Sequence, residues 1–224
     1  MDDPVLSAPL FAGLDPASAR GIVGSLVTLN VARGDLVFHE GEPGDCLYLV
    51  RDGKVKLGRR SGDGRENLLA VLGPGEMFGE LSLFDPGPRT STATVVADAQ
   101  LLQMGHDQLA RWLTAAPAIA EHLLRALARR MRRTNEAIAD LIFTDVPGRV
   151  AKALLDLSTR FGEPTEDGVR VAHDLTQEEL AQLVGATRES VNKALAEFTA
   201  RGWTRRDGRV VVLLDIERLE HRAQ

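Results

Sequence analysis

Residues 118–143 read AIAEHLLRALARRMRRTNEAIADLIF, a stretch of 26 residues without proline or glycine. As a single helix it extends about 39 Å at 1.5 Å per residue, longer than most helices of globular domains. Ala120, Leu124, Leu127, Met131, Thr134, Ile138 and Leu141 follow alternating steps of four and three, the spacing that keeps one seam against a partner helix. Thr134 is the polar exception, and Asn135 sets an amide beside it. Polar groups in a seam need partners. Two are open: the helix or its symmetry mate, fixing register, or a ligand that reaches the seam. Five arginines, Arg125, Arg129, Arg130, Arg132 and Arg133, lie off the seam and are expected on a solvated face, with a DNA or partner contact as the alternative.

On the N-terminal side the pattern changes. From Asp35 to Met104 short apolar or alternating runs (LVF, CLYLV, KVKLG, ENLLAVL, TATVV, LLQM) are separated by glycine-rich breaks, as in an antiparallel barrel or jelly roll. Asp52-Gly53 and Asp63-Gly64 read as hairpin turns. Before this region Leu10 to Leu29 reads as an amphipathic segment capping the sheet, with Asp15 as N-cap and Pro16 in the first turn. After it, His106 to Leu113 reads as a brief helix.

On the C-terminal side Asp145 and Pro147 end the long helix and start another, Asp145 as N-cap and Pro147 in its first turn, which suggests a hinge. Val150, Leu154, Leu155 and Leu157 continue that helix to Phe161, and the polar GEPTEDG closes it. Asp174 to Gly202 then reads as helix, tight turn, helix. Thr176 and Glu179 form a capping box, Gly185 permits the turn, and Thr187 caps the second helix. Val191, Leu195 and Phe198 face inward, which turns Arg188, Glu189, Asn192 and Lys193 outward at its N-terminal end. Such a helix can enter the major groove, where each good base contact is worth about 1–3 kcal/mol of discrimination. The following GWTRRDGRVVVLL reads as a hairpin with Asp207-Gly208 at the tip and Arg205, Arg206 and Arg209 around it, a wing over phosphates. A helical hairpin with a merely solvated face accounts for the charges but not for the capped turn.

Composition narrows the classes. The 224 residues are 44% apolar, enough for one or two cores, and no run of apolar residues reaches membrane-spanning length. The acidic start MDDPVLSAPLF is unlike a signal peptide, so a cytoplasmic protein is expected. One cysteine, Cys46, excludes an internal disulfide and cysteine-rich metal sites. The five histidines show no metal-binding spacing, and no nucleophile–base pair stands out, so no catalytic or metal site is assigned. The net charge of −5 is uneven: residues 1–110 hold 9 basic and 15 acidic residues, residues 111–224 hold 18 and 17.

The densest constellation in the first half is FGELSLFDPGPRTSTA, residues 78–93. Gly79 lets backbone approach an anion, and the N–H groups of Glu80, Leu81 and Ser82 open a short helix toward the same point. Arg89 offers a charged fork suited to phosphate, and Thr90 a hydroxyl. Glu80, an acceptor among donors, suits a ribose hydroxyl. The competing reading makes Gly79 and Gly87 turn residues and Glu80 and Arg89 a surface ion pair.

This segment resembles the phosphate-binding cassette of the cyclic AMP receptor protein/FNR family, and the resemblance extends over essentially the whole chain. It implies that Gly79, Glu80, Leu81, Arg89 and Thr90 hold cyclic AMP and that Thr134, with Asn135, meets the adenine. TRESVNKAL resembles the family's recognition helix, which implies base reading by Arg188, Glu189 and Lys193 and backbone contacts by Thr176 and Gln177. The loop between Glu80 and Arg89 is one residue shorter than in the enterobacterial receptor, Asn135 replaces its Ser, and Lys193 replaces its Arg. The combination resembles the actinobacterial branch, so affinity, cooperativity and base preference are not assumed from the enterobacterial case. The implied architecture is α+β: an N-terminal antiparallel jelly-roll domain (1–116), a dimerisation helix (117–144) and a winged helix-turn-helix (145–224). The implied protein is a homodimeric, cyclic AMP-responsive regulator on a palindromic, TGTGA-like operator with half-sites ~34 Å apart, with RNA polymerase as protein partner. Alternatives are a regulator with another effector or none, a regulatory subunit acting through protein contacts, and a small barrel enzyme.

Overall fold

The structure is a computed structural model that describes residues 3–7, 11, 14–62, 64, 66–115 and 117–224. In chain order its elements are α1 (Pro16–Gly24), β1 (Val27–Val31), β2 (Leu36–Phe38), β3 (Cys46–Arg60), β4 (Glu66–Leu72), β5 (Met77–Phe78), α2 (Leu81–Phe84), β6 (Thr92–Gly105), α3 (His106–Ala115), α4 (Ala118–Phe143), α5 (Val146–Phe161), β7 (Gly162–Thr165), β8 (Gly168–Ala172), α6 (Gln177–Leu183), α7 (Arg188–Ala200), β9 (Thr204–Asp207), β10 (Val210–Leu213) and α8 (Ile216–Arg222). They form two compact units, Met1–Arg59 with Leu69–Arg133, and Arg60–Leu68 with Thr134–Gln224.

The first unit is built on the two long strands. β3 and β6 pair antiparallel from Cys46↔Gly105 to Gly58↔Thr92, and the sheet order is β1-β6-β3-β4, with β2 on β6 and β5 on β3. The continuous apolar run CLYLV belongs to a strand buried on both faces. Leu47 and Leu49 enter a core with α1, α3, Ile119 and Leu123, while Cys46, Tyr48 and Val50 enter a second core with Phe38, Phe78 and Leu101. The period of two in the strand thus separates two cores. Asp15 caps α1 as expected, accepting from the N–H groups of Ala17 and Ser18. Val27 to Leu29, read as the end of an amphipathic segment, are instead strand, and Leu10 lies outside the described residues.

Asp52-Gly53 is not a hairpin tip. It lies inside β3 at a register shift, with Gly53 at φ +80°, so the left-handed glycine serves a β-bulge. A side chain there would strike the Asp98 carbonyl at 2.1 Å from its Cβ. At the second expected turn, Gly64 has φ +84° and its N–H donates to Ser61 O, while Asp63 lies outside the described residues.

α4 has the expected bounds. Its buried residues are Ile119 and Leu123, whereas Leu124, Met131, Ile138 and Leu141 of the seam are 52–67% exposed. The arginines do not all face solvent: Arg130 donates to Glu80 at 2.6 Å and Arg133 to Glu76 at 3.3 Å.

The second unit packs α5, α6, α7 and α8 around Leu154, Leu180, Leu195 and Phe198, closed by the antiparallel sheet β7-β8-β10-β9. The segment read as polar closure is therefore partly strand: Gly162 to Thr165 pair with Val171 to Gly168. The wing hairpin is as expected, Asp207 pairing with Val210 across Gly208 at φ +60°.

Candidate functional site

In the first unit Gly79, Glu80, Ser82 and Arg89 converge. The backbone of Arg89 is fixed by the 41–42 loop, its N–H donating to Glu42 O and its carbonyl accepting from Gly41 N–H, each at 2.8 Å. The side chain is buried, with 4% of its surface exposed. Nη1 donates to the carbonyls of Cys46 and Gly79 at 2.8 Å and to Ser82 Oγ at 3.1 Å, and Nη2 lies 3.5 Å from Cys46 Sγ. The guanidinium carbon sits 4.3 Å from the centroid of the Phe38 ring, within cation–π range. Gly79 has φ +78°, and a Cβ there would stand 2.7 Å from Arg89 Nη1, so both backbone conformation and space require glycine.

Glu80 is more deeply buried, at 1% exposure, and stands at the N-cap position of α2 without a capping hydrogen bond. One carboxylate oxygen accepts from Arg130; the other, Oε2, has no partner. Arg89 Nε is likewise buried and unpartnered. The reading of Glu80 and Arg89 as a surface ion pair is thereby overturned: both are buried, and Glu80 pairs with Arg130. Behind them burial, followed by the hydrogen bond with the Cys46 thiol, pushes the Tyr48 phenol above its ordinary value, so it remains a neutral wall.

Leu81 and Thr90 are exposed at the rim. Thr134 and Asn135 are exposed on α4 and belong to the second unit, so they join the cluster only in the proposal below. Sequence reasoning missed Ser82 as an Arg89 partner, Cys46 as a carbonyl acceptor and Arg130 as the Glu80 partner. Arg130 carried no signal of this role, because its partner lies fifty residues away in the sequence.

In the second unit the helix-turn-helix chemistry is in place. The Thr176 side chain accepts from Glu179 N–H at 3.2 Å while the Glu179 carboxylate accepts from Thr176 N–H at 2.7 Å. The Thr176 hydroxyl is thus engaged in capping. Gly185 has φ +61°, and Thr187 caps α7 by accepting from Ser190 N–H. Val191, Leu195 and Phe198 are buried; Arg188, Glu189 and Lys193 are exposed. Asn192 departs from the expectation: it is half-buried, and its Oδ1 is enclosed without a partner. Gln177 is half-buried and lines, with Ala196, Thr199, Arg206 and Gly208, an open cleft of about 580 Å³ between α7 and the wing. Of the wing arginines, Arg205 is paired with Asp167 at 3.0 Å and Arg209 is exposed.

At the junction Asp145–Pro147, expected as a hinge, side chains bridge α4, α5 and α8. Asp145 caps α5 through Gly148 N–H and pairs with Arg222 at 2.6 Å; Lys152 pairs with Asp140. The Arg222 hydrogen bond and the Gly148 N–H hold the Asp145 carboxyl below its ordinary value, and Asp145 in turn raises Arg222. Among the described residues no cluster of His, Cys, Asp and Glu could hold a metal ion, and no helix is long and apolar enough to cross a membrane.

Comparison with known proteins gives two domain matches: a cyclic nucleotide-binding domain over residues 28–115 and a Crp-like helix-turn-helix domain over residues 148–222. The chain is 56% identical over 224 residues, all of both chains, to the CRP-like cAMP-activated global transcriptional regulator of Mycobacterium tuberculosis. It is 35% identical over 198 residues, 88% of each chain, to the cyclic AMP receptor protein of Thermus thermophilus. The crystal structure of the Thermus thermophilus catabolite activator protein matches with a TM-score of 0.57 at 34% identity, over 96% of this chain and 98% of that one.

Proposed function

The chain belongs to the cyclic AMP receptor protein/FNR family, and we propose that it is a cytoplasmic, homodimeric transcription regulator whose effector, cyclic AMP, is held by the Glu80–Arg89 cluster. The observation that carries the effector site is the pair of orphaned atoms. A buried polar atom without a partner costs about 1–3 kcal/mol, and more when charged. Two lie in one cassette, one an acceptor on Glu80 and one a donor on Arg89. A ligand offering a hydroxyl beside an anionic phosphate satisfies both, and a ribose 3′,5′-cyclic phosphate has that pattern. Gly79, Leu81 and Thr90 supply the rim, and Thr134 with Asn135 the base contact.

The exposed seam of α4 supports dimerisation, since a stripe of Leu124, Met131, Ile138 and Leu141 is left unburied by its own chain. A two-fold dimer presents two copies of α7 to a palindromic, TGTGA-like operator, with Arg188, Glu189, Asn192 and Lys193 toward the bases and Gln177 and the wing toward the backbone. Thr176 acts mainly by capping α6. RNA polymerase is the protein partner in this reading. The functional division follows 1–116, 117–144 and 145–224.

Calorimetry of wild type and Arg89→Gln with cyclic AMP, cyclic GMP and cyclic di-GMP tests the effector assignment. Cyclic AMP should bind wild type in preference to the other two, and the variant should bind none. Unchanged cyclic AMP affinity in the variant would falsify the phosphate assignment.

A further inference from the structure

Arg149 lies in the first turns of α5. Its half-buried guanidinium spans three backbone carbonyls: Nη1 to Thr144 O at 2.7 Å, Nε to Val184 O at 2.8 Å and Nη2 to Gly185 O at 3.2 Å. Thr144 follows the last residue of α4, and Val184 and Gly185 form the turn after α6. These are carbonyls that a helix end leaves without intrahelical partners, and a cation beside two helix C-termini also meets their negative dipole ends. The same corner has apolar contact, because a Cβ on Gly185 would stand 2.7 Å from Leu141 Cδ2. Thr144 Oγ1 is further held by Asp140 Oδ1 at 3.2 Å.

We infer that Arg149 is a positioning residue: its planar fork fixes the turn of the helix-turn-helix to the end of α4, so that a change at that helix end reorients α7 as a body. Lysine cannot replace it in full, because a single ammonium lacks the fork that reaches carbonyls on two elements at once. Removing the clamp leaves the base-reading side chains chemically intact and releases the angle at which they are presented. The inference rests on the reading of the chain as an effector-responsive DNA binder.

Two measurements on the full-length chain test it for wild type, Arg149→Gln and Arg149→Lys. The first is backbone amide exchange by mass spectrometry over residues 141–149 and 183–187. The second is affinity for a TGTGA-type palindromic duplex by fluorescence anisotropy at one stated salt concentration, without and with saturating cyclic AMP. In Arg149→Gln exchange should accelerate in both segments. The ratio of DNA affinities with and without cyclic AMP, typically about 5–150-fold for coupled sites, should fall to about one. Cyclic AMP affinity by calorimetry should match wild type, and Arg149→Lys should be intermediate. If Arg149→Gln does not fold, the lysine variant, monitored by its thermal melt, carries the test. Wild-type exchange in both segments, or an unchanged affinity ratio, overturns the clamp. Should wild type not bind the duplex at all, the functional reading fails and the exchange measurement alone decides on Arg149.

Discussion

The cassette and the recognition helix use the same two residue types in opposite environments. Arg89 and Glu80 are sealed in the first unit at 4% and 1% exposure; Arg188 and Glu189 stand in solvent at the start of α7. The buried pair has its geometry set in advance by carbonyls, Ser82 and Arg130, and holds two unmet hydrogen-bonding atoms in reserve. The exposed pair stands on the first turn of α7, open to whatever it touches. A small ligand of fixed shape rewards preorganisation, whereas a DNA groove with varied sequence is read by side chains that adjust. The contrast predicts large losses of effector affinity for substitutions in the cassette and losses graded by base for substitutions on α7.

The largest effect should come from Arg89→Gln. A charge-assisted hydrogen bond is worth roughly 1.5–3 kcal/mol, and the variant also strands a buried phosphate, so cyclic AMP binding should fall by about a hundredfold or more, below detection in calorimetry. A loss of only a few-fold would erase the difference between the two regions. Glu80→Gln should cost less, because the amide keeps an acceptor, but Arg130 then loses its charged partner. The expected outcome is about 1.5–3 kcal/mol off cyclic AMP affinity with DNA binding in the absence of effector unaltered.

Arg188→Ala should act on the other side of the contrast. Operator affinity should drop by about 1–3 kcal/mol with relaxed preference at one base pair, read by competition with single-substitution duplexes, and cyclic AMP affinity should not move. A uniform loss on all duplexes would make Arg188 a phosphate contact.

The smallest effect is expected at Asp145, which belongs to neither site. Asp145→Ala removes the cap of α5 and the pair with Arg222, at a cost of about 1 kcal/mol in thermal or denaturant unfolding. The folded carboxyl sits below its ordinary value of 3.8, so its contribution is present above that value and disappears as pH falls through the lowered folded value. Wild type and variant should therefore differ in stability near neutrality and converge in acid. A difference that persists in acid would assign the effect to packing at the corner.

What the sequence made legible was local chemistry. The bounds of α4, the cap at Asp145, the capping box and the inward face of α7 all follow from neighbours within one or two helical turns. What escaped depended on distant partners. Gly162 to Thr165 carry a proline and no apolar pattern, and they are strand because β8 supplies the pairing. Gly53 fits a bulge as well as a turn, since both need positive φ, and only the continuous pairing of β3 with β6 separates them. The type of the cassette residues was readable at Gly79, Glu80 and Arg89, but Arg130 and Cys46 were not, because their roles arise across 50 and 43 residues of chain. The break between α4 and α5 at Asp145 is legible in the sequence, and the Arg149 contacts across it are not, since carbonyl acceptors leave no mark there.

Preorganisation in the cassette is useful to a regulator only if filling it changes DNA binding. A complete switch needs roughly 5.5 kcal/mol of differential effector affinity between two states, and smaller couplings tune rather than switch. The most direct test is the affinity of the full-length protein for a palindromic TGTGA-type duplex, measured with and without saturating cyclic AMP at one salt concentration. The account predicts tighter binding with cyclic AMP in wild type and no change in Arg89→Gln. Equal affinity in wild type under both conditions, with cyclic AMP demonstrably bound, would contradict it.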